Sequence, residues 1–363
     1  MAKSHDNAIF NASSGDGGAA MVNLYQPRTM LRALDQVKVP RRFFHETFFG
    51  TVVTHTTKDV EFDVRTKNRR VARFVNPIHD GVLVEREGFA TFKTSPGYIK
   101  EMTSLRPQET DSRAFGENIY TPMSPAQRAA RLLGEDLAML DERLVRLEEK
   151  MCAEAILEGR VTVKGKAIDN SVEFGYEVGK HIKILSGTGL WSDPSADPMR
   201  DLDNWRREIL QRCGIAPNIC LTGSEAAWAI MDNAKVKERL NILNYTMGKI
   251  APGQPSRPGI SYYGDLMLSS GVVSLYSYDE WYTDPETGED VPLMPNNKVL
   301  LGSTEARAEF HYGLIQNLRS LGAQTRFAFS WEKPDGSARF VQLESAPMPN
   351  LYQPDAFIVA TVL

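Results

Sequence analysis

Residues 124–159 read SPAQRAARLLGEDLAMLDERLVRLEEKMCAEAILEG, and this segment predicts one long helix on which the rest of the chain is arranged. Ser124 can cap the free amide groups of the first turn, and Pro125 suits the first helical position. Gly159 can adopt the left-handed conformation that ends a helix. At ~1.5 Å per residue the helix would be about 50 Å long. Because this exceeds the usual width of a compact domain of this size, other elements are expected to lie across it.

The predicted helix has two different faces. Apolar residues recur at steps of three and four on one face, at Leu133, Leu137, Leu140, Leu144, Leu147, Met151 and Ala155. The other face carries opposite charges four positions apart, Glu142 with Arg146 and Lys150 with Glu154. Gly134 lies inside the helix, where glycine costs about 1 kcal/mol relative to alanine. Two interpretations of Gly134 stay open, namely close helix packing and a hinge at which the helix bends.

The composition is that of a protein with a sizeable core. The chain has 363 residues, 42% of them hydrophobic, and a net charge of −4, which does not indicate a nucleic-acid-binding protein. The charge is uneven, because residues 1–106 carry 16 Lys or Arg against 11 Asp or Glu and the remainder carries 26 against 35. The two parts could attract each other, within one molecule or between copies, or the imbalance could be scatter over solvated faces.

The cysteines and the hydropathy point to the cytoplasm as the place of synthesis. The three cysteines, Cys152, Cys213 and Cys220, form no CxxC motif and are expected to be unpaired. No signal peptide is evident, and no apolar run approaches the ~20 residues of a membrane span.

The first fifty residues divide into two segments. Residues 1–20 are small and polar, and we expect them to be disordered. Residues 21–50 predict an arm with a short helix near 28–36 and a group of four phenylalanines, Phe43, Phe44, Phe48 and Phe49. Leaving such a ring in water costs roughly 2 kcal/mol. The rings must therefore dock on this subunit or on another, and we hypothesise that they form a subunit interface.

Residues 57–100 predict a long two-stranded ribbon. Apolar and charged residues alternate from Val60 to Arg65, and a polar turn with a basic cluster follows, Lys67, Arg69 and Arg70. A two-stranded hairpin is marginally stable by itself. It is therefore either an edge hairpin folded onto its own core or a projection that a neighbour orders. In the second case the basic cluster at its tip contacts acidic groups of an adjacent subunit.

Strand and helix patterns alternate over residues 186–320 and predict a mixed α/β subdomain. Asp197 caps a helix that Pro198 opens, and Ser224 caps a second helix that carries Trp228 and Val236. Residues 248–264, rich in Gly and Pro, predict a loop. The principal strands are expected at 218–221, 272–278, 299–301, 325–331, 339–343 and 357–362.

No catalytic, cofactor-binding or metal-binding constellation emerges from the motifs. The six histidines form no HExxH pair, and a GxSxG elbow is missing. The Gly187-Thr-Gly189 segment lacks the third glycine of a dinucleotide-binding loop. The motifs therefore predict no catalytic residue, no metal and no cofactor, and they leave open an active site that assembles without a local motif.

Five short motifs follow one another along residues 22–363. They are NPI at 76–78 with Gly81, TSPGYIK at 94–100, Trp228 with VKERL at 236–240, LMPNNKVLLGST at 293–304 with Ala306 and Arg307, and ESAP at 344–347 with Pro354, Asp355 and Phe357. In this order they resemble the major capsid (major head) proteins of lambda-type tailed bacteriophages.

The resemblance implies an α+β chain with the Hong Kong 97-like phage capsid fold. The N-terminal arm would be residues 21–50, after the extension 1–20, and the extended loop would be 51–106. The peripheral domain with the long spine helix would be 107–185 and 325–363, and the axial α/β domain would be 186–324.

The resemblance also implies a function that requires no catalytic residue, so a protein that is not an enzyme, and it implies partners. Copies of the chain would assemble into hexamers and pentamers of an icosahedral procapsid, which expands and encloses double-stranded DNA without reading its sequence. Portal, scaffold and decoration proteins would be further partners, with no membrane, and the protein would reside in the virion. The alternatives are an encapsulin-like nanocompartment shell and, with less support, a cytosolic α/β hydrolase.

Overall fold

The computed structural model describes residues 24–35, 42–65, 89–113, 117, 120, 123–165, 168–243, 259–320 and 322–363. The helices in these ranges are α1 (Pro27–Leu34), α2 (Phe43–Phe48), α3 (Pro107–Asp111), α4 (Pro125–Leu157), α5 (Pro198–Arg212), α6 (Ser224–Asp232) and α7 (Ala234–Leu243). The first nine strands are β1 (Thr51–Thr54), β2 (Val60–Arg65), β3 (Phe89–Thr94), β4 (Ile99–Leu105), β5 (Arg160–Gly165), β6 (Ile168–Glu173), β7 (Ile182–Ile184), β8 (Ile219–Thr222) and β9 (Ile260–Leu268). The others are β10 (Gly271–Tyr278), β11 (Trp281–Thr283), β12 (Asp290–Pro292), β13 (Lys298–Gly302), β14 (Ala308–Tyr312), β15 (Phe327–Glu332), β16 (Arg339–Ser345), β17 (Pro347–Leu351) and β18 (Ile358–Thr361).

The long helix α4 begins and ends as the sequence predicts. The Gln127 amide donates to the Ser124 hydroxyl at 3.3 Å, and the Ser124 amide donates to the Gln127 side chain at 2.9 Å, which is a capping box. Gly159 has a φ of +68°, and a Cβ at this position would lie 2.1 Å from the Tyr176 ring. The left-handed conformation and the neighbouring ring both require glycine here, so the predicted end of the helix is confirmed.

The predicted faces of α4 are also confirmed, with one exception. Six of the seven predicted apolar residues are buried, and Leu147 is 36% exposed. On the other face Arg146 pairs with Glu142, and the Lys150 Nζ lies 3.6 Å from the Glu154 Oε1.

A three-stranded sheet, ordered β15-β16-β4, packs on the first half of α4. Both strand pairs are antiparallel, with Val341 between Ser330 and Thr103. The sheet contributes Ala328, Val341 and Leu343 to a core that α4 and α1 complete. The arm helix near residue 28 therefore lies on its own subunit, against the long helix and this sheet.

A second core lies in a six-stranded mixed sheet, ordered β7-β18-β13-β8-β10-β9. Strands β10 and β8 are parallel, as are β18 and β7, and the other pairs are antiparallel. Strand β18 lies between β7 and β13, so the last strand of the chain belongs to this sheet. The sequence analysis assigns residues 107–185 and 325–363, and with them β7 and β18, to the unit that contains the long helix. Both strands are instead hydrogen-bonded into the six-stranded sheet.

The helix predicted from Ser224 through Val236 is two helices, and that part of the prediction is wrong. Gly223 is the N-cap residue and Ser224 is the first helical residue. Asn233, with a ψ of 128°, separates α6 from α7. Its side-chain oxygen accepts from the Lys235 amide at 3.0 Å, so it caps the second helix locally. By contrast, the predicted Asp197 cap of α5 is confirmed, since its carboxylate accepts from the Arg200 amide at 3.2 Å.

The ribbon is present where the structure describes it. Strands β2 and β3 pair antiparallel, from Val60 opposite Thr94 to Arg65 opposite Phe89, and form a sheet of two strands only. At its base the Lys93 Nζ lies 2.9 Å from the Asp59 carboxylate. The predicted tip with Lys67, Arg69 and Arg70 lies outside the described residues, as do the extension 1–20 and most of the predicted loop 248–264.

Candidate functional site: the junction of the arm and the long helix

The four phenylalanines of the arm are buried in their own chain. Their exposed fractions are 8% for Phe43, 0% for Phe44, 3% for Phe48 and 0% for Phe49. Their rings pack against aromatic rings of distant segments, for example Phe48 at 5.5 Å from Phe357 between ring centres. Because a single chain already covers these rings, they leave almost no surface for a second copy. This corrects the hypothesis of a subunit interface through them, and the arm instead ends in a helix, α2, anchored on its own subunit.

Three carboxylates of α4 lie beneath this anchor. Asp141, Glu148 and Glu149 are 0%, 0% and 1% exposed. The sequence analysis does not single them out, although a signal exists. Asp141 follows Leu137 by four positions, and Glu148 follows Leu144 by four, so both acids fall on the spacing of the apolar face. Acidic residues at core-facing positions of a helix are seldom buried without a partner.

Glu149 holds the beginning of α2. Its two carboxylate oxygens accept from the Phe44 amide at 2.7 Å and from the His45 amide at 3.1 Å, and the Tyr278 hydroxyl donates to it at 3.2 Å. The N-cap residue Arg42 makes no side-chain cap, so Glu149 satisfies amides that a helix start leaves free. Burial raises the pKa of Glu149 to about 7, and the hydrogen bonds from the two amides oppose this rise.

Glu148 and Asp141 are held by two arginines from distant parts of the chain. The Glu148 carboxylate lies 3.2 Å from an Arg42 nitrogen and 3.3 Å from an Arg326 nitrogen, and the Tyr312 hydroxyl donates to it at 2.8 Å. Arg326 also lies 2.5 Å from Asp141, as an ion pair without hydrogen-bond alignment. Burial raises the pKa of both carboxyls, against the arginines. Removing one partner of such a buried pair typically costs 3–5 kcal/mol.

A histidine pair fixes the root of the ribbon. The His55 Nε2 lies 2.7 Å from the His311 Nδ1, and the His311 Nε2 lies 3.1 Å from the Tyr352 hydroxyl. Burial lowers the pKa of His311 to about 4, and the electrostatic interaction with His55 adds to this effect. Near neutral pH His311 is therefore uncharged, so the pair can share one hydrogen bond between strands β1 and β14.

The remaining predicted position, Gly134, is buried within α4 and the helix is continuous through it. It lies about two turns before Asp141 along the helix and does not belong to the junction. Within the described ranges, no group of three His, Cys, Asp or Glu side chains is placed to hold a metal ion. None of the helices described here combines the length and apolar character that crossing a bilayer requires. The junction is an arrangement that fastens the arm, the long helix and β14 to one another.

Comparison with known proteins identifies the family of this chain. The model of the family described as phage major capsid protein E matches residues 26–362. The chain belongs to the phage major capsid protein E family. The major capsid protein of Enterobacteria phage P21 is 27% identical over 358 residues, covering 94% of this chain and 100% of that protein. The major capsid protein of Escherichia phage lambda is 26% identical over 345 residues, covering 93% and 98%.

The fold of the phage major capsid protein E family is also found among solved structures. A crystal structure described as a capsid protein of a prophage of Escherichia coli CFT073 superposes with a TM-score of 0.70 at 18% identity, covering 93% of this chain and 99% of that one. The resemblance noted from the five sequence motifs is therefore confirmed. Members of this family are structural components of the phage particle, and the comparisons indicate no enzyme family.

Proposed function

We propose that this chain is the repeating subunit of an icosahedral phage head. In this proposal copies assemble into hexamers and pentamers, and the closed shell encloses packaged double-stranded DNA. The observation that carries the proposal is the family match over residues 26–362, together with relatives that are named major capsid proteins and are matched over almost their whole length.

The same proposal assigns the Hong Kong 97-like arrangement to the elements of the chain. The arm comprises α1 and α2, and the extended loop comprises the ribbon β2–β3 and its flanks within residues 51–106. The peripheral domain comprises α4 with the sheet β15-β16-β4. The axial domain comprises the six-stranded sheet with α5 to α7, and it takes in β7 and β18 because these strands hydrogen-bond into that sheet.

A shell explains why the ribbon can be ordered with so little support. A sheet of only two strands is marginal in isolation, and among the described strands β2 and β3 pair only with each other. In a closed assembly of many copies, each edge meets a neighbour, and modest contacts add cooperatively. The net charge of −4 suits a shell that contains DNA without binding it tightly.

The proposal includes the expansion of a procapsid to a thinner mature shell, with portal, scaffold and decoration proteins as partners. A long helix that must change curvature needs a weak point, and Gly134 supplies one within α4. Glu148 and Glu149, about four turns further along α4, fasten the arm, so bending at Gly134 would leave these contacts intact.

The test is electron microscopy and analytical sedimentation of the chain expressed alone, over a wide range of concentration. We expect closed shells of uniform diameter and a small pool of unassembled subunits. A compact monomer at every concentration would overturn the proposal. Cages that enclose a host protein would favour the nanocompartment alternative instead.

A further inference from the structure

One face of the sheet β15-β16-β4 carries a row of aromatic side chains. Because side chains alternate along a strand, the residues next to Ala328 and Val341 lie on the face away from α4. The rings stack in sequence, with centre distances of 5.8 Å from Phe327 to Phe329, 5.2 Å to Trp331 and 5.2 Å on to Phe340. We call Phe329, Trp331, Phe340 and the adjacent Met102 the aromatic strip.

The aromatic strip is open to solvent in the single chain. Met102 is 61% exposed and the three rings are half-buried, with Phe329 also packed against the core of α1, α4 and the sheet. Leu318, which precedes Arg319 in the chain, is fully exposed. A contiguous apolar surface of this kind marks a contact site in a soluble protein. Phe327, at the inner end of the row, is 3% exposed, so the row is covered at one end only.

The rim of the aromatic strip carries two cations. The Arg319 guanidinium lies 5.5 Å from the centre of the Phe329 ring, and the Lys333 ammonium lies 5.9 Å from the centre of the Phe340 ring. Both cations are exposed. The one carboxylate on this face of β16, Glu344, is 1% exposed and already accepts from the Tyr98 hydroxyl at 2.7 Å. The rim therefore fits a partner that brings exposed carboxylates.

The hairpin of β11 and β12 has the complementary chemistry. Residues 259–297 contain seven carboxylates and neither lysine nor arginine: Asp265, Asp279, Glu280, Asp284, Glu286, Glu289 and Asp290. Four of them belong to the hairpin, whose tip from Pro285 to Asp290 is exposed throughout. We call residues 281–292 the acidic hairpin.

The acidic hairpin also presents an aromatic side chain outward. On the face of the hairpin toward α4, Tyr282 packs against the core, and its ring lies 4.9 Å from the Lys150 ammonium. Trp281, the adjacent residue in β11, points to the other face and is 50% exposed. Exposed tryptophan beside carboxylates matches exposed aromatic rings beside cations, in both apolar and electrostatic terms.

We propose that the aromatic strip of one copy is covered by the acidic hairpin of an adjacent copy. This inference rests on the proposed function, because it requires an assembly of identical chains. Glu286 and Glu289 then approach Arg319 and Lys333, and Trp281 packs on the strip. The contact joins two different surfaces of the same chain, so it is heterologous and can repeat around a ring.

Charge reversal and its rescue test the proposal. The variant Arg319→Glu with Lys333→Glu is expected to lower the yield of shells at least about tenfold, because like charges then face each other. Adding Glu286→Lys and Glu289→Lys to the same chain restores opposite charges and is expected to restore the shells. The matched control reverses two exposed cations of α5 and α7, Arg200→Glu with Lys237→Glu. Urea unfolding of each unassembled subunit verifies that the charge changes leave the fold intact.

Two outcomes would overturn the inference. Shells formed by Arg319→Glu with Lys333→Glu at the wild-type yield would show that the rim is not at a contact. Loss of shells without rescue by the reversed hairpin would show that another surface, or another protein, covers the strip. If the wild-type chain itself forms no shells, the proposed function fails, which is a separate result.

A disulfide trap gives an independent readout that does not depend on the charge changes. Copies with Met102→Cys are co-assembled with copies that carry Thr287→Cys at the tip of the hairpin, and the shells are oxidised. We expect a covalent dimer on a non-reducing gel from the mixture and from neither variant alone. Met267→Cys, at another partly exposed methionine, replaces Met102→Cys in the control and is expected to give no dimer. No dimer from the Met102→Cys mixture, or equal dimer from both mixtures, contradicts the proposal.

Discussion

Glu149 makes the stability of the unassembled subunit depend on pH. Burial raises its pKa from 4.5 to about 7, whereas in the unfolded chain the group titrates near its ordinary value. Between these two values the folded chain retains a proton that the unfolded chain has released. The free energy of unfolding therefore falls as the pH rises through this range, and the effect is complete above about pH 7. The difference between 4.5 and about 7 corresponds to roughly 3 kcal/mol.

The variant Glu149→Gln isolates this effect, because glutamine has nearly the same shape and does not ionise. The amide nitrogen of glutamine cannot accept a hydrogen bond, whereas both oxygens of the carboxyl group can, so the Phe44 or the His45 amide loses its acceptor. We expect the variant to be about 1–3 kcal/mol less stable than the wild type near pH 4.5. Because only the wild type loses stability as Glu149 ionises, this difference is expected to shrink or reverse by roughly 3 kcal/mol near pH 8.

The assay is urea unfolding of the unassembled subunit, followed by tryptophan fluorescence at intervals from acidic to mildly alkaline pH. The protein is kept dilute, because assembly would itself stabilise the folded state. Burial lowers the pKa of His45 and His311 to about 4, which gives a slope of the opposite sign between that pH and the ordinary histidine range. Subtracting the variant from the wild type removes that contribution, since both proteins contain these histidines.

A control variant tests whether the pH dependence comes from the burial of Glu149. Glu142→Gln removes an exposed carboxylate from the same helix and leaves the contacts of Glu149 unchanged, so it serves as the control. If the difference between the wild type and Glu149→Gln varies with pH no more than that of the control, the argument from burial is refuted.

Three further changes have defined outcomes. Gly159→Ala places a side chain at a φ of +68° and 2.1 Å from a tyrosine ring, so the free energy of unfolding in urea should fall by roughly 2 kcal/mol or more. An unchanged urea midpoint would contradict this geometry. The triple replacement Lys67→Glu, Arg69→Glu, Arg70→Glu should abolish shells in electron micrographs while leaving a soluble folded subunit, and normal shells would refute a contact at the ribbon tip. Gly134→Ala should stabilise the helical conformation of α4 by about 1 kcal/mol and slow expansion, which is measured as particle diameter against time. Expansion at the wild-type rate, with the same helix curvature in the immature shell, would exclude the hinge.

Local sequence signals were sufficient wherever the cause of a structure is itself local. Ser124 and Asp197 cap their helices because a hydroxyl or carboxylate can reach an amide three residues ahead, and sequence spacing alone reveals that reach. The break at Asn233 differs, because its cause is only partly local. The Asn233 side-chain oxygen accepts from the nearby Lys235 amide, while its nitrogen donates to the distant Ala196 carbonyl at 3.2 Å, a contact that helical spacing does not reveal.

The sequence by itself determined the long amphipathic helix, its ends, the pairing of the ribbon and the family, because each rests on spacing along the chain or on short motifs in order. Only the tertiary structure decided that the phenylalanines of the arm are covered by their own chain and that Asp141, Glu148 and Glu149 are buried. It also decided that β18 lies between β7 and β13 in the six-stranded sheet. These features depend on residues more than one hundred positions apart, such as Arg42 and Arg326 meeting at Glu148. A sequence records which side chains can pair, whereas folding brings the partners within hydrogen-bonding distance.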